Sequence, residues 1–325
     1  MTSVRPAKVI TRHRAGSIHA YVIRPGALGP LEPVAVFQPL PGDDVVESAV
    51  RPDLERVVYT TLDRAVCLTR TGDLAWTSVF EPHSDQVHGH RPGCALALDG
   101  RTAWIYRPDV MAGRRDADQW VAHDLDSGAV LARQKLETAG HGAVHHVHPL
   151  DGSVYLDIGE GQDGSVILRS AAGHDGRPEF LAYPWRDRCL IDLAPDGQQF
   201  MTVDHGQADV AFHRHPSGDV LFTLPVEAFG YDPDETFVEW SGGYLTPDTA
   251  AVTLGGEGHD EEEWFRHHLV DVRKGTLRGE IAVEVTNPYE LVLLGDGSWL
   301  TDGPDGNPVR CPGSPLPPAP PLPGT

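Results

Sequence analysis

Short apolar runs that end in an aspartate–glycine or proline–aspartate turn recur along the whole chain. They read ALALDG to Gly100, VHPLDG to Gly152, DLAPDG to Gly197, YLTPD to Asp248 and VLLGDG to Gly297. AVRPD, ending at Asp53, is a weaker copy, and VRPA, with Ala7 in the aspartate position, is weaker still. The anchors at 7, 53, 99, 151, 196, 248 and 296 are 46, 46, 52, 45, 52 and 48 residues apart. After each turn comes a β-type run such as RVVYTTL, TAWIYR, SVYLDI, QFMTVD or AAVTL, rich in β-branched and aromatic residues. A further strand then enters a second turn, as in HDLDSGAVLA and FHRHPSGDVLF. Each repeat thus predicts strand a, a D-G turn, strand b, a loop, strand c, an S/T-G turn and strand d. Such a unit cannot bury both faces alone and must stack on its neighbours.

This grammar, chiefly the P-D-G turn and the later S-G or T-G turn, resembles the WD40 and YVTN-like β-propeller superfamilies over nearly the whole chain. The array lacks the G-H pair and terminal W-D of a standard WD40 repeat. The resemblance implies an all-β fold, a single β-propeller of seven blades of four antiparallel strands, with six as the alternative count. KVITRHR, SIHAYVIRP and PVAVFQP supply about three strands at the N-terminus, and the last repeat runs out after PVRCPG. A closing blade that mixes strands from both chain ends would remove two open sheet edges. The expected organisation is a propeller over residues 1–311 and a Pro-rich disordered tail over 312–325.

Composition narrows the partners. The formal net charge is −21, with 47 acidic residues against 26 basic ones. Such a surface repels phosphate, which disfavours nucleic acid and anionic membranes and favours a protein or basic peptide. No apolar stretch approaches the roughly 18 residues of a membrane span. The N-terminus lacks the apolar core of a signal peptide. Cys67, Cys94, Cys189 and Cys311 have no metal spacing and read as isolated thiols of a cytoplasmic protein, expected to be a monomer.

The repeat register places candidate chemistry. Ten residues beyond four anchors lie Gly161, Gly206, Gly258 and Gly306, in the loop between strands b and c. Glu160, His205, Glu257 and Asp305 precede these glycines, and Gln162, Gln207, His259 and Asn307 follow them. In a propeller the b–c and d–a loops share one rim, and the D-G turns occupy the other. The d–a loops bring His83, His88 and His90, then His141, His145 and His146, to that same rim. Histidine with Asp or Glu can hold a transition metal or move protons.

Two kinds of site therefore compete. The rim binds a protein or peptide through His88, His90, His145, Gln162, Gln207 and Asn307 without catalysis. Alternatively a metal held by His146, His205 and His259, with Glu160 or Glu257 as catalytic base, serves a lyase or hydrolase at the mouth of the central channel. A third reading is a Ca-stabilised structural propeller using Asp163, Asp204 and Asp260. The cofactor implied by the last two is a divalent metal (Zn, Mn or Ca), and no other cofactor motif is present. The plain alternatives are a glycine that only turns a hairpin, and a buried histidine bonded to a neighbouring blade. His148 fits the latter, since Leu96, Leu193 and Leu245 hold its place in other repeats. Asp260 to Glu263 reads as a solvated loop. GEGQDGS lacks the P-loop lysine, and no GxSxG or HExxH occurs.

Overall fold

The computed structural model describes residues 8–115, 117–173, 178–257, 263–283 and 285–313. The described residues form seven antiparallel sheets, the blades of a β-propeller; six have four strands and one has three. The chain divides into two compact units.

The first unit holds four blades. Blade 1 is β1 (Lys8–Arg14), β2 (Ser17–Ile23) and β4 (Ala35–Phe37). Blade 2 is β5 (Glu47–Val50), β6 (Arg56–Thr60), β7 (Arg64–Thr69) and β8 (Leu74–Val79). Blade 3 is β9 (Gly93–Leu96), β10 (Thr102–Arg107), β11 (Asp118–Asp124) and β12 (Val130–Leu136). Blade 4 is β13 (Gly142–Val147), β14 (Val154–Gly159), β15 (Ser165–Ala172) and β16 (Pro178–Ala182).

The second unit holds three blades. Blade 5 is β17 (Arg188–Leu193), β18 (Gln199–Asp204), β19 (Asp209–Arg214) and β20 (Val220–Pro225). Blade 6 is β21 (Thr236–Thr246), β22 (Thr249–Glu257), β23 (Glu263–Asp271) and β24 (Thr276–Ile281). Blade 7 is β25 (Val292–Leu293), β26 (Ser298–Asp302) and β27 (Pro308–Pro312), completed by β3 (Gly29–Pro30) from the N-terminal segment. Val309 faces Pro30 and Arg310 faces Gly29. Strands from both ends of the sequence therefore share one blade, as edge removal requires. A proline is tolerated there because the outer strand needs a ladder on one side only.

The alternation of each strand buries both faces of a blade against its neighbours. Trp104, Tyr106, Trp120, Leu156 and Ile158 form one such core between blades 3 and 4, with the Trp104 and Trp120 rings 4.6 Å apart. Met201, Val203, Phe212, Tyr244 and Val252 form its counterpart between blades 5 and 6. The weakest copy of the repeat is out of register. β1, which follows Ala7, packs on β5 as a first strand, and the first hairpin turns at Ala15–Gly16. Pro312 is the last residue of β27, and residues 314–325 of the expected tail lie outside the described residues.

A repeated feature concerns histidines that the sequence did not single out. The pairing of strands c and d shifts by one residue at Ala122/His123 and again at Phe212/His213. Each imidazole Nδ1 meets a glycine carbonyl of the following turn, His123 to Gly128 at 2.9 Å and His213 to Gly218 at 3.0 Å. Burial pushes the His213 pKa down to about 4.

Candidate functional site

Antiparallel order puts the b–c and d–a loops at one end of each blade, where the candidate residues were expected. In the first unit Glu160 opens the 3₁₀ turn Gly161–Asp163, which carries Gln162. The Ala139 N–H donates to Glu160 Oε1 at 2.9 Å, and Arg186 Nη1 to Oε2 at 3.2 Å. His88 is exposed on the d–a loop, whereas His90 is buried with neither ring nitrogen hydrogen-bonded. Burial, then the nearby Arg114 charge, holds the His90 pKa below its ordinary value.

His145 and His146 are neighbours in β13. Trp120 Nε1 donates to His145 Nε2 at 3.1 Å, which bonds His145 to the neighbouring blade. Burial, reinforced by His146, lowers its pKa to about 3 and keeps it neutral. His148 is buried beside its own D-G turn, its Nδ1 accepting from the Asp151 N–H at 3.0 Å.

The first strands of blades 2, 3 and 4 add a group that sequence patterning missed. Glu47 opens β5, and one of its oxygens accepts from the Cys94 N–H at 3.0 Å. A Cβ at Gly93 would stand 2.9 Å from Glu47 Oε2, 3.2 Å from the Ala143 carbonyl and 3.4 Å from His145 Cε1. The absent side chain is what lets the carboxyl and the imidazole approach this strand. Desolvation outweighs the Cys94 hydrogen bond and the Arg91 charge, and raises the Glu47 pKa to about 7. A carboxyl so poised can hold or release a proton near neutrality.

In the second unit His205 is half-buried against Trp240, ring centres 5.7 Å apart. Gln207 adopts a left-handed backbone, φ 62°, and its carbonyl accepts from the Val238 N–H at 2.8 Å. Asn307 Nδ2 donates to Asp305 Oδ2 at 2.7 Å. Glu257 ends β22, exposed, and pairs in register with Glu263. His259 lies outside the described residues, as do Gly258 and Asp260 to Glu262. Among the described residues, His146, His205, Glu160 and Glu257 belong to no group of three ligand atoms within reach of one ion. Gly306 supplies the left-handed turn before Asn307, φ 71°, whereas in the 205–208 loop Gln207 takes that backbone itself and bonds to the next blade.

Charge is unevenly placed along the blades of the second unit. The loops at the b–c and d–a end carry Glu227, Asp232, Asp234, Glu235, Glu290 and Asp305, and residues 205–208, 226–235, 282–291 and 303–307 contain no Lys or Arg. At the D-G end Arg273 pairs with Asp248 at 2.5 Å, Arg278 with Asp271 at 2.6 Å and Arg310 with Asp296 at 2.5 Å, with Lys274 beside them. In the first unit the loop arginines are matched by carboxylates, Arg64 by Asp43, Arg114 by Asp63, and Arg107 and Arg115 by Asp109. Exposed Glu81, Asp85, Glu137 and Asp163 have no ion pair among the described residues.

None of the four cysteines is in a disulfide; Cys67 and Cys94 are buried, Cys189 and Cys311 half-buried. No helix among the described residues is long and apolar enough to cross a membrane.

No protein-family model and no curated protein matches the sequence. Solved structures do match in fold. The Dos1 propeller is 10% identical, covering 96% of this chain and 85% of its own, with a TM-score of 0.56. The periplasmic gluconolactonase of Pseudomonas aeruginosa is 16% identical over 92% of this chain and 89% of its own, with a TM-score of 0.54. Hydrazine synthase of Kuenenia stuttgartiensis is 14% identical over 79% of this chain and 73% of its own, with a TM-score of 0.53. The likeness is to the propeller fold, and the matched proteins include enzymes, so it leaves the activity open.

Proposed function

We propose that this chain is a non-enzymatic binding propeller, a cytoplasmic monomer whose b–c and d–a loop end takes a basic protein or peptide. The supporting observation is the charge of the second unit: Glu227, Asp232, Asp234, Glu235 and Glu290 stand at the loop end on loops that contain no Lys or Arg, with Asp209 the carboxylate there that Arg188 pairs, whereas Asp248, Asp271 and Asp296 at the turn end each pair with an arginine. A field of one sign steers a basic partner to that end and turns acidic competitors away. In the first unit the exposed His88 and Gln162 are the polar contacts of this reading, with His90 buried and His145 half-buried in its bond to Trp120, and in the second unit Gln207 and Asn307 are. The test is titration of the purified protein with lysine-rich and glutamate-rich peptides at low and high salt. Binding of the basic peptide alone, weakened by salt and by the combined Asp232→Asn, Asp234→Asn and Glu235→Gln changes, is expected. Equal binding of both peptides, or affinity indifferent to salt, overturns the reading.

The enzymatic alternative has one observation in its favour, the Glu47 carboxyl with its pKa near 7 beside His145. It would use Glu47 for proton transfer, and in its metal-assisted form His146, His205 and His259 with Glu160 or Glu257. A stoichiometric metal in the purified protein, lost on His146→Ala, would favour it over the binding reading.

A further inference from the structure

In the first unit a cleft of about 340 Å³ opens between blades 3 and 4, beside their D-G turns. Blade 3 lines it with Asp99, Trp104 and Leu131, and blade 4 with Ser170, Ala171 and Ala172. Trp104 and Ser170 are buried and form its floor, whereas Asp99, Leu131 and Ala172 are exposed and form its lip. Such a volume falls within the roughly 300–1,000 Å³ of small-molecule sites. The floor departs from the repeat. In blades 2 and 6 the residue opposite the first core position of strand b is apolar and fully buried: Leu68 faces Val57, and Val270 faces Ala250. Blade 4 has Ser170 there, opposite Val154. Its Oγ is buried and makes no hydrogen bond among the described residues. A buried hydroxyl left unpaired is costly, so a partner from outside the chain is favoured there.

The lip carries a charge. Asp99 Oδ1 accepts from the Arg101 and Thr102 N–H groups at 2.8 and 3.3 Å, which fixes the carboxylate in its turn. Arg51, which packs on the neighbouring Gly100, is taken up by Asp53 and Asp126. No cation pairs with Asp99 among the described residues. The wall between floor and lip is apolar, and Trp104 already packs with Trp120 and Phe180, ring centres 4.6 and 6.0 Å away. A further ring in the cleft extends that aromatic cluster.

We propose that this cleft binds a small aromatic amine. Its ring packs on Trp104 and Ala171, a hydroxyl at its buried end meets Ser170, and an ammonium at its open end meets Asp99. An anion of the same shape is turned away by Asp99 and by the net charge of −21. A bare metal ion would find one carboxylate beside an apolar wall. The cleft lies at the opposite end of the blades from the loops proposed to take a basic partner, and it does not depend on that reading.

Calorimetric titration with tyramine, phenethylamine, tyrosol and 4-hydroxyphenylacetate tests each end of the cleft separately. Tyramine should bind. Phenethylamine, which lacks the hydroxyl, and tyrosol, which lacks the charge, should each bind about tenfold more weakly, and the anionic acetate not detectably. Ser170→Ala should lower tyramine to the level of phenethylamine, and Asp99→Asn should lower it to the level of tyrosol. Neither change removes a structural bond: Ser170 Oγ makes none, and asparagine keeps the oxygen that the Arg101 and Thr102 N–H groups use. Ala172→Trp, at the exposed lip, should block all binding, and thermal melts restrict the comparison to folded variants. Absent tyramine binding, equal affinity for all four compounds, or folded variants that bind tyramine as wild type does, overturns the proposal. So does tyramine binding that is lost on the combined Asp232→Asn, Asp234→Asn and Glu235→Gln changes, which would put the amine at the loop end.

Discussion

Asp118 gathers four donors onto one buried carboxylate. Tyr106 OH and Thr138 Oγ1 donate at 2.8 and 2.9 Å, and the Gly140 and Val110 N–H groups at 2.8 and 3.0 Å. It joins the b–c loop, the third strand and the d–a loop of blade 3, so its replacement frees several buried donors together. Asp118→Ala should cost roughly 3–5 kcal/mol, since each orphaned buried group costs about 1–3 kcal/mol. Chemical denaturation measures it directly. Glu47 behaves oppositely. Its folded pKa, about 7, lies above the unfolded value, so its charge increasingly opposes folding as pH rises from about 4.5 through 7. Glu47→Gln keeps an acceptor for the Cys94 N–H and removes that penalty. The variant should melt a few degrees higher than wild type at pH 8 and no higher at pH 4. A gain at both pH values would mean that packing, not charge, had changed.

At the scale of elements, the strand pattern was legible because each D-G turn is a local signal and each strand alternates around it. β3 was not legible as a strand, because a two-residue Gly–Pro segment has no pattern of its own. Only the free edge of β27 makes it one: the Leu31 N–H donates to the Pro308 carbonyl at 2.8 Å, and Val309 and Arg310 face Pro30 and Gly29. Leu31→Pro, which removes the N–H donated to Pro308 and leaves blade 1 intact, should loosen that edge, lower the melting temperature and bring on concentration-dependent association, readable by light scattering. The bulge in β21 was equally hidden. ETFVEWSGGYLT reads as an ordinary strand with a polar interruption, and only its partner β22 reveals that three residues stand where one belongs. The exposed Trp240 at that interruption was the available signal.

The whole molecule is shaped by charge and by neutral histidines. His213 and His267 are buried with pKa values lowered to about 4, chiefly by desolvation. A depressed histidine pKa means that the unfolded chain binds the proton first, so stability falls as pH drops from about 6.5 towards 4. Each group accounts for on the order of 3 kcal/mol across that window. His213→Gln should flatten this part of the profile in melts at matched ionic strength, whatever its effect at pH 7. Salt acts on a different property: it should weaken capture of a basic partner at the loop end while leaving the arginine-paired turn end largely indifferent, because paired charges present little net field.

The sequence by itself determined the repeat and the propeller, because turns and alternation are written in residues close together in the chain. Tertiary structure decided which of those residues meet. It placed Glu160 between Ala139 and Arg186 and His145 under Trp120. It also brought the Tyr289 hydroxyl to Glu239, 50 residues away in the sequence. Contacts of that range depend on loop lengths, bulges and the stacking of blades, and no local pattern encodes them.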